Sequence, residues 1–149
     1  MAFFSASASR SINVSPDTVY NVLRDYEVGH PAILPKAYFE KVEIEQGGQG
    51  AGTIIHVYMK LLGIRQTLRM EVTEPKPYTL VEVDMDNDTH TTFTVEPLEG
   101  GRKSKVTIQT KFKSKGGIQG FFERMFLPSI LGGIFHKELD LLAKYVKQS

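Results

Sequence analysis

The side chains that could do chemistry in this 149-residue chain are scattered, and they form no recognisable nucleophile or metal-binding motif. The chain has no cysteine, which excludes a thiolate nucleophile, a disulfide scaffold and a cysteine-based metal site. Its four histidines, His30, His56, His90 and His136, include no pair at the helical spacing that binds metal. We therefore expect neither a metal ion nor a cofactor.

Two acidic residues offer acid–base chemistry if they face a ligand. Glu82 and Asp84 alternate with Val81 and Val83 in a strand-like run at residues 79–85, and alternate residues of a strand point to opposite faces. In an apolar site the two carboxyl groups would have raised pKa values and could act as acid or base. Hydrophobicity favours the opposite register, with the valines buried. We therefore expect Glu82 and Asp84 in water, where they balance lysines across the sheet.

Polar residues on otherwise apolar strand faces are better candidates for ligand contacts. Arg10, Gln66 and Thr110 each fall on such a face, and a buried polar group needs a partner, which a ligand can be. Two alternatives stay open. Backbone groups could satisfy these side chains, or Arg10 could extend to water at its strand end.

Glycine-rich residues 47–52 invite comparison with a phosphate-binding loop. Such a loop precedes a helix, and in many nucleotide-binding proteins it is followed by Lys-Ser or Lys-Thr. Strand-like residues 53–59 follow instead, without that pair. The sequence therefore predicts no nucleotide site in this segment.

The longest predicted element is a helix in residues 116–146. Apolar side chains leave it little polar face before Lys137, and counted from Ile118 it would span roughly 43 Å at about 1.5 Å per residue. A helix that is apolar nearly all round is buried or contacts something other than water. Pro128 predicts a kink, and Gly132 and Gly133 leave room beside the helix.

Strands and two short helices are predicted in the rest of the chain. Serines at alternate positions from 5 to 11 show the period of two that is typical of a half-exposed strand. Ser15, Pro16 and Asp17 then form a helix start, followed by a short helix and a second helical turn between prolines. Six more strand-like runs are separated by turn signals: residues 42–45, 53–62, 66–74, 79–85, 91–96 and 105–113.

The last of these strands shows the cleanest alternation. Lys105 and Lys111 fall on one face, while Val106 and Ile108 fall on the other. A sheet with one apolar face must be covered, and the carboxyl-terminal helix is the long apolar element left to cover it. Residues 1–149 are therefore predicted to form a single domain of the α+β class.

Charge and hydropathy narrow the range of partners. The 18 basic and 17 acidic residues give no overall attraction to nucleic acid. The amino terminus lacks a signal-peptide pattern, and no run of about 18 apolar residues could span a membrane. Together with the absence of cysteine, this predicts a cytoplasmic protein.

A basic strip offers one further partner. Six basic residues in the segment 102–115, beside apolar residues of the helix, could contact an anionic membrane transiently, although a solvated strand face is the simpler interpretation. The same apolar residues could form a homodimer patch. Monomer and homodimer therefore both stay open.

In this order of elements the chain resembles the START-like helix-grip superfamily (SRPBCC), specifically its polyketide cyclase/dehydrase and lipid-transport-like branch. The resemblance covers nearly the whole chain. It rests on Ile12-Asn13-Val14-Ser15-Pro16, Val22-Leu23-Arg24-Asp25-Tyr26, Leu34-Pro35, Gly50-Ala51-Gly52-Thr53, Glu71-Val72-Thr73-Glu74-Pro75, Thr92-Phe93-Thr94-Val95-Glu96-Pro97, and Pro128 with Glu138-Leu139-Asp140-Leu141-Leu142. These motifs are caps, turns and core positions, so the ordered set indicates the fold and not an activity.

The resemblance implies a curved antiparallel sheet of about seven strands that grips the long carboxyl-terminal helix, with two short helices after the first strand. It also implies a hydrophobic cavity between sheet and helix. Members of the superfamily bind lipids, sterols, plant hormones and polyketides; some catalyse cyclisation or dehydration, and others activate chaperones. In such proteins a glycine loop overhangs the cavity mouth, so residues 47–52 are either a gate or an ordinary turn.

The resemblance and the strand faces together predict binding, and in a wider form transport, of a hydrophobic small molecule or lipid. A polyketide cyclase or dehydratase using the same cavity is the alternative, and a protein-partner module of the chaperone-activating type is the third. Binding without catalysis is preferred, and no catalytic residue is assigned. The predicted ligand-contact residues are Arg10, Ile55, Val57, Met59, Gln66, Leu68, Met70, Phe93, Ile108, Thr110, Phe121, Met125 and Gly132.

Overall fold

Seven strands and three α-helices make up the fold in the computed structural model, which describes residues 3–113 and 116–148. The strands are β1 (Phe3–Ile12), β2 (Phe39–Gln46), β3 (Ile54–Leu61), β4 (Ile64–Lys76), β5 (Thr79–Asp84), β6 (His90–Leu98) and β7 (Lys103–Lys113). The helices are α1 (Pro16–Arg24), α2 (Gly29–Ala32) and α3 (Gly117–Gln148). The predicted order of elements and the helix-grip architecture are confirmed.

The strands form one antiparallel sheet in the order β1-β7-β6-β5-β4-β3-β2. Strands β2 to β7 follow one another as a meander, as their short connections predict. β1 instead pairs with β7, from Phe3 opposite Lys113 to Ile12 opposite Ser104. α1 and α2 therefore carry the chain from one edge of the sheet to the other.

One face of the sheet is buried and the other is exposed, as the alternation in the last strand predicts. Val106 and Ile108 of β7 are fully buried, while Lys105 and Lys111 are exposed on the opposite face. α3 covers the buried face with its carboxyl-terminal half, where Leu139 is fully buried. We call the buried side the inner face and the exposed side the outer face.

The two halves of α3 lie in different environments. The helix runs unbroken through Pro128. Its carboxyl-terminal half buries Leu131, Ile134, Phe135, Leu139, Leu142, Ala143 and Val146. In its amino-terminal half, Phe121, Met125 and Phe126 are about half exposed. The apolar segment thus divides into a core half and a surface half, and no helix among the described residues is long and apolar enough to cross a membrane.

β5 takes the register opposite to the predicted one. Glu82 and Asp84 are buried on the inner face, with 8% and 4% of their surfaces exposed, while Val81 and Val83 are half-buried on the outer face. The prediction that these acids lie in water is wrong. Pairing with both neighbouring strands sets the register of β5, and the fold supplies hydrogen-bond partners for the acids. The hydrophobicity of one strand is therefore a poor guide to which of its faces is buried.

The glycine-rich segment at residues 47–52 is fastened to the end of α1. The Gly50 amide donates to the Arg24 carbonyl oxygen at 2.8 Å, and the Ala51 amide donates to Glu74 Oε1 at 2.8 Å. Glu74 also accepts hydrogen bonds from the Arg24 guanidinium and the Tyr20 hydroxyl. The Arg24 guanidinium lowers the pKa of the Glu74 carboxyl to about 2. These contacts favour an ordinary, anchored turn over a gate.

We predict that Gly50→Ala destabilises the protein more than Gly52→Ala. Both glycines have positive φ angles, +62° and +89°, so alanine is strained at either site by about 1 kcal/mol. A Cβ on Gly50 would also lie 2.1 Å from Arg24 Nη2, whereas one on Gly52 meets nothing within 4 Å. Urea unfolding should show a loss of about 3 kcal/mol for Gly50→Ala. Equal losses for the two variants would contradict the anchored turn.

Candidate functional site

A cavity of about 160 Å³ lies between the inner face of the sheet, α2 and α3. Its wall is mostly apolar. Eight of the predicted ligand-contact residues lie along it: Ile55, Val57, Met59, Gln66, Leu68, Met70, Phe93 and Thr110. Their contact with a ligand stays a prediction, but the structure brings them together around one space.

The cavity has an open end and a closed end. Near the turn between β3 and β4, Leu61 and Leu127 are half-buried and Gln66 is exposed. At the opposite end, where α2 meets the sheet, His30 and Glu138 are only 3% and 2% exposed. α3 spans both ends, since Leu127 and Glu138 lie about three turns apart on the same helix. A ligand would therefore enter along α3.

Four titratable side chains meet at the closed end: Tyr26, His30, Glu82 and Glu138. The Tyr26 hydroxyl donates to Glu82 Oε2 at 2.6 Å. Nε2 of His30 lies 3.4 Å from the same oxygen and 4.0 Å from Glu138 Oε1. We call these four residues the closed-end cluster. In this cluster the imidazole ring of His30 lies beside two carboxyl groups.

The turn after α1 places His30 in this cluster. Asp25 ends the helix, and its carboxylate accepts hydrogen bonds from the amides of residues 27–29, which turn the chain into α2. His30 Nδ1 then lies 2.6 Å from the Leu23 carbonyl oxygen. Because a carbonyl oxygen only accepts, Nδ1 carries a proton, and Nε2 is the ring nitrogen that faces the cavity.

Aromatic contacts hold the imidazole in this orientation. The His30 ring stacks on Tyr26 with centroids 4.5 Å apart, and it meets the edge of Phe93 at 5.2 Å. Both neighbours are buried. The position of Nε2 is therefore set by packing as well as by the hydrogen bond at Nδ1.

Burial and charge favour the protonated form of Glu138. Burial, and after it the negative charge of Glu82, raise the pKa of the Glu138 carboxyl well above its usual value of 4.5. Burial, followed by the same charge, raises the pKa of the Tyr26 hydroxyl. Glu138 Oε1 has no hydrogen-bond partner within the part of the chain that the structure describes. The closed end thus holds a carboxyl group with unused hydrogen-bonding capacity, in surroundings that favour its protonated form.

Two threonines extend the polar surface from the cluster. Glu82, Thr91 and Thr110 stand directly opposite one another in β5, β6 and β7, and the two threonine hydroxyls hydrogen-bond at 2.8 Å. Asp84 lies nearer the open end, but its carboxylate accepts hydrogen bonds from backbone amides of the next turn and from the Asn87 side chain. Asp84 therefore shapes the turn, and Glu82 is the carboxylate beside the imidazole.

The structure places Arg10, Phe121 and Met125 away from the cavity wall, contrary to prediction. The Arg10 guanidinium forms an ion pair with Asp140 of α3, and its side chain is 38% exposed. This agrees with the alternative that Arg10 extends to water. Phe121 and Met125 are 50% and 53% exposed, because the amino-terminal half of α3 is covered on one side only.

Ile108 and Gly132 are also absent from the described residues of the cavity wall. Ile108 is fully buried in the packed core. Gly132 faces β1, where an added Cβ would lie 3.7 Å from the Ser7 carbonyl oxygen. A Cβ would fit there at ordinary contact distance, and the space beside Gly132 belongs to the packing of α3 on β1 and not to the cavity.

His30 and Glu138 are the site residues that sequence analysis did not select. Glu138 carries a signal in the sequence, since it follows Ile134 by four positions and Phe135 by three and so falls on the buried stripe of the helix. A lone acid on such a stripe needs a partner or a ligand. His30 carries no such signal, because its short segment has no hydrophobic period.

The outer face carries two of the remaining histidines. His56 Nε2 lies 2.7 Å from Glu45 Oε1, and His90 Nε2 lies 3.2 Å from Asp88 Oδ1. Both pairs are on the side of the sheet opposite the cavity. Within residues 3–113 and 116–148, no group of three His, Asp or Glu side chains could hold a metal ion.

Comparisons with known proteins agree with this architecture. The family model described as polyketide cyclase / dehydrase and lipid transport matches residues 4–147. A search of curated proteins found no match. Among solved structures, the KanY protein is 30% identical over 99% of each chain, with a TM-score of 0.85.

Two other solved structures share the fold at lower identity. A START superfamily protein from Mycobacterium smegmatis is 15% identical over 97% of each chain, with a TM-score of 0.76. The Zhui aromatase/cyclase from Streptomyces sp. R1128 is 14% identical, with a TM-score of 0.77 and coverage of 99% of this chain and 95% of that one. At these identities the likeness shows the fold alone.

We predict opposite stability effects for the two buried glutamates of the closed-end cluster. Glu138→Leu removes a buried carboxyl group whose Oε1 has no partner, so the free energy of unfolding should rise by about 1–3 kcal/mol. Glu82→Leu leaves the buried Tyr26 hydroxyl without its acceptor and should lower the free energy of unfolding by about 1–3 kcal/mol. Urea denaturation measures both. A loss of stability in Glu138→Leu would show that this carboxyl group is satisfied in the folded protein.

Proposed function

The chain belongs to the polyketide cyclase / dehydrase and lipid transport family, and on that premise we propose that it binds a hydrophobic small molecule between the sheet and α3. The observation that carries the proposal is the cavity, which combines an apolar wall with a polar closed end. Apolar enclosure supplies affinity, and a few polar groups fix the orientation of a ligand.

The size of the ligand follows from the volume of the cavity. At about 160 Å³, the space is close to an engineered protein cavity of about 150 Å³ that holds benzene. A longer molecule could extend through the open end, where Gln66 is exposed. One ring or a short branched chain at the closed end, with a tail toward the open end, suits this shape.

Transport of the ligand is the wider form of the proposal. Phe121, Met125 and Phe126 are about half exposed in the amino-terminal half of α3, and Leu127 of the same half lines the open end. Exposed apolar side chains beside a cavity entrance suit contact with a membrane or another apolar surface during exchange. The β7 lysines lie on the outer face of the sheet, opposite the cavity.

A chaperone-activating module of this fold would be expected to have a filled core. The cavity argues against that alternative. The same cavity supports a ligand-binding role, and we therefore prefer that role.

Proton-transfer catalysis of the polyketide cyclase or dehydratase type is a second candidate function. The closed-end cluster favours it, because His30 Nε2 faces the cavity beside Glu82, and in the neutral ring this nitrogen carries the lone pair. Such a nitrogen could remove a proton from the carbon next to a ligand carbonyl group, the step that begins an aldol cyclisation. In that role His30 is the proton acceptor, and the charge of Glu82 stabilises the imidazolium that forms.

Native mass spectrometry of protein purified without delipidation tests the binding proposal. We predict co-purified ligand, or binding from a panel of lipids and aromatic polyketides. Leu68→Trp should lower the bound fraction at least about ten-fold, because the indole occupies the cavity. Thr67→Trp is the matched control, since Thr67 is exposed on the outer face of the same strand. No cargo and no binding in the wild type, or equal losses in both variants, would count against the proposal.

The enzyme hypothesis predicts accelerated deuterium exchange at the carbons beside the carbonyl group of benzylacetone, followed by NMR in heavy water. The acceleration over buffer should be about 100-fold or more. His30→Asn should abolish it, because asparagine keeps a donor for the Leu23 carbonyl oxygen but has no atom at the Nε2 position. Exchange at the buffer rate with benzylacetone bound would reject this catalytic step and leave the binding proposal intact.

A further inference from the structure

We infer that the closed end of the cavity is a hydrogen-bonding subsite for an uncharged carbonyl oxygen of the ligand, and that Glu138 is the donor. The inference deepens the proposed function and rests on it, because it names the chemical class of molecule that the cavity binds. That class is a neutral carbonyl compound with an apolar body. Free carboxylic acids and amines fall outside it.

The first support is the position of the Glu138 carboxyl group. Its side chain is 3% exposed and lines the cavity. His30 Nε2 lies 4.0 Å from Oε1, which is too far for a hydrogen bond. Buried side-chain oxygens without any partner are rare in folded proteins. A ligand in the cavity can supply the missing partner.

The second support is the set of charges that face Glu138. Glu82 of β5, His30 of α2 and Tyr26 before α2 are the titratable members of the cluster with it, Asp84 of β5 lies further along the wall, and the described cavity wall includes no lysine or arginine. The Glu82 and Glu138 carboxyl groups both lie within 4.0 Å of His30 Nε2, and two carboxylates in one apolar site disfavour each other's charge. The raised pKa of Glu138 agrees with this environment. Glu138 therefore keeps its proton and presents an O–H group.

An O–H donor in an acidic, apolar pocket selects among ligand head groups. A carboxylate or phosphate would bring a second negative charge beside Glu82, with His30 as the one cationic candidate on the described wall. An ammonium group needs an ionised carboxylate as its partner, but burial opposes ionisation of Glu138, and Glu82 Oε2 already accepts the hydrogen bond of the Tyr26 hydroxyl. A carbonyl oxygen accepts the hydrogen bond without any change of charge. The neutral carbonyl is therefore the head group that fits.

Four probes of nearly equal shape test this selection. Benzylacetone carries a ketone, hydrocinnamate carries a carboxylate at the same position, the corresponding amine carries an ammonium group, and butylbenzene carries no polar group. Dissociation constants at neutral pH are measured by NMR chemical-shift titration of the full chain. Benzylacetone should bind about ten-fold more tightly than hydrocinnamate and the amine.

Two substitutions at Glu138 identify the donor. Glu138→Gln keeps the size, neutrality and a hydrogen-bond donor, so benzylacetone affinity should stay within about three-fold of the wild type. Glu138→Leu removes the donor, so benzylacetone should bind about ten-fold more weakly while butylbenzene binding is retained. Thermal unfolding confirms that both variants are folded, and the butylbenzene control shows that the cavity is intact.

Each contrary result overturns a different statement. Tightest binding of the amine, with loss in Glu138→Gln, would show that Glu138 acts as a carboxylate. Unchanged benzylacetone binding in Glu138→Leu would show that Glu138 does not contact the ligand. Equal binding of hydrocinnamate would leave the cavity as a binding site and reject the head-group selection. If none of the four probes binds to the wild type, this inference fails, whereas the proposed function fails only if native mass spectrometry also finds no cargo and no binding from its panel.

Discussion

The hydrogen bond from Tyr26 to Glu82 is the interaction on which the closed end of the cavity depends. It gives a partner to a carboxylate on the inner face of the sheet, where an unpaired one would be unfavourable. The same bond ties the chain after α1 to β5, so that α2 follows with His30 against Phe93. Burial, and after it the charge of Glu82, raise the pKa of Glu138 on α3. This one contact thus connects the register of β5, the path of the chain through α1 and α2, and the protonation of Glu138 on α3.

The closed-end cluster also shows how a binding site limits stability. A buried carboxyl group without a partner and a cavity of about 160 Å³ each reduce the packing and hydrogen bonding available to the folded chain. Other contacts compensate, among them the ion pair of Arg10 with Asp140 and the network of Arg24 with Glu74. The unsatisfied groups are concentrated where a ligand could satisfy them, which is the pattern expected of a functional site.

Much of the fold could be predicted from the sequence because its signals are local. The alternation of lysine with Val106 and Ile108 identified the two faces of β7, and the apolar run after Pro128 identified the helix that covers one of them. Alternation in the other strands helped to select eight residues that line the cavity. The prediction of the buried face failed for β5, where Val81 and Glu82 gave conflicting signals. Hydrogen-bond partners such as Tyr26 and Asn87 decide whether an acid can be buried there.

The sequence by itself determined the order of the elements and most of the apolar strand faces, and its resemblance to the START-like superfamily implied the helix-grip architecture and the cavity. The order and the faces follow from side-chain period, turn residues and caps, which act over a few neighbouring positions. Only the tertiary structure decided that His30, Glu82 and Glu138 meet, since they are separated by 52 and 56 positions along the chain. Their distances, burial and mutual charges arise when α2, β5 and α3 pack together. Electrostatic environment is a property of that packing, and a linear sequence carries no direct record of it.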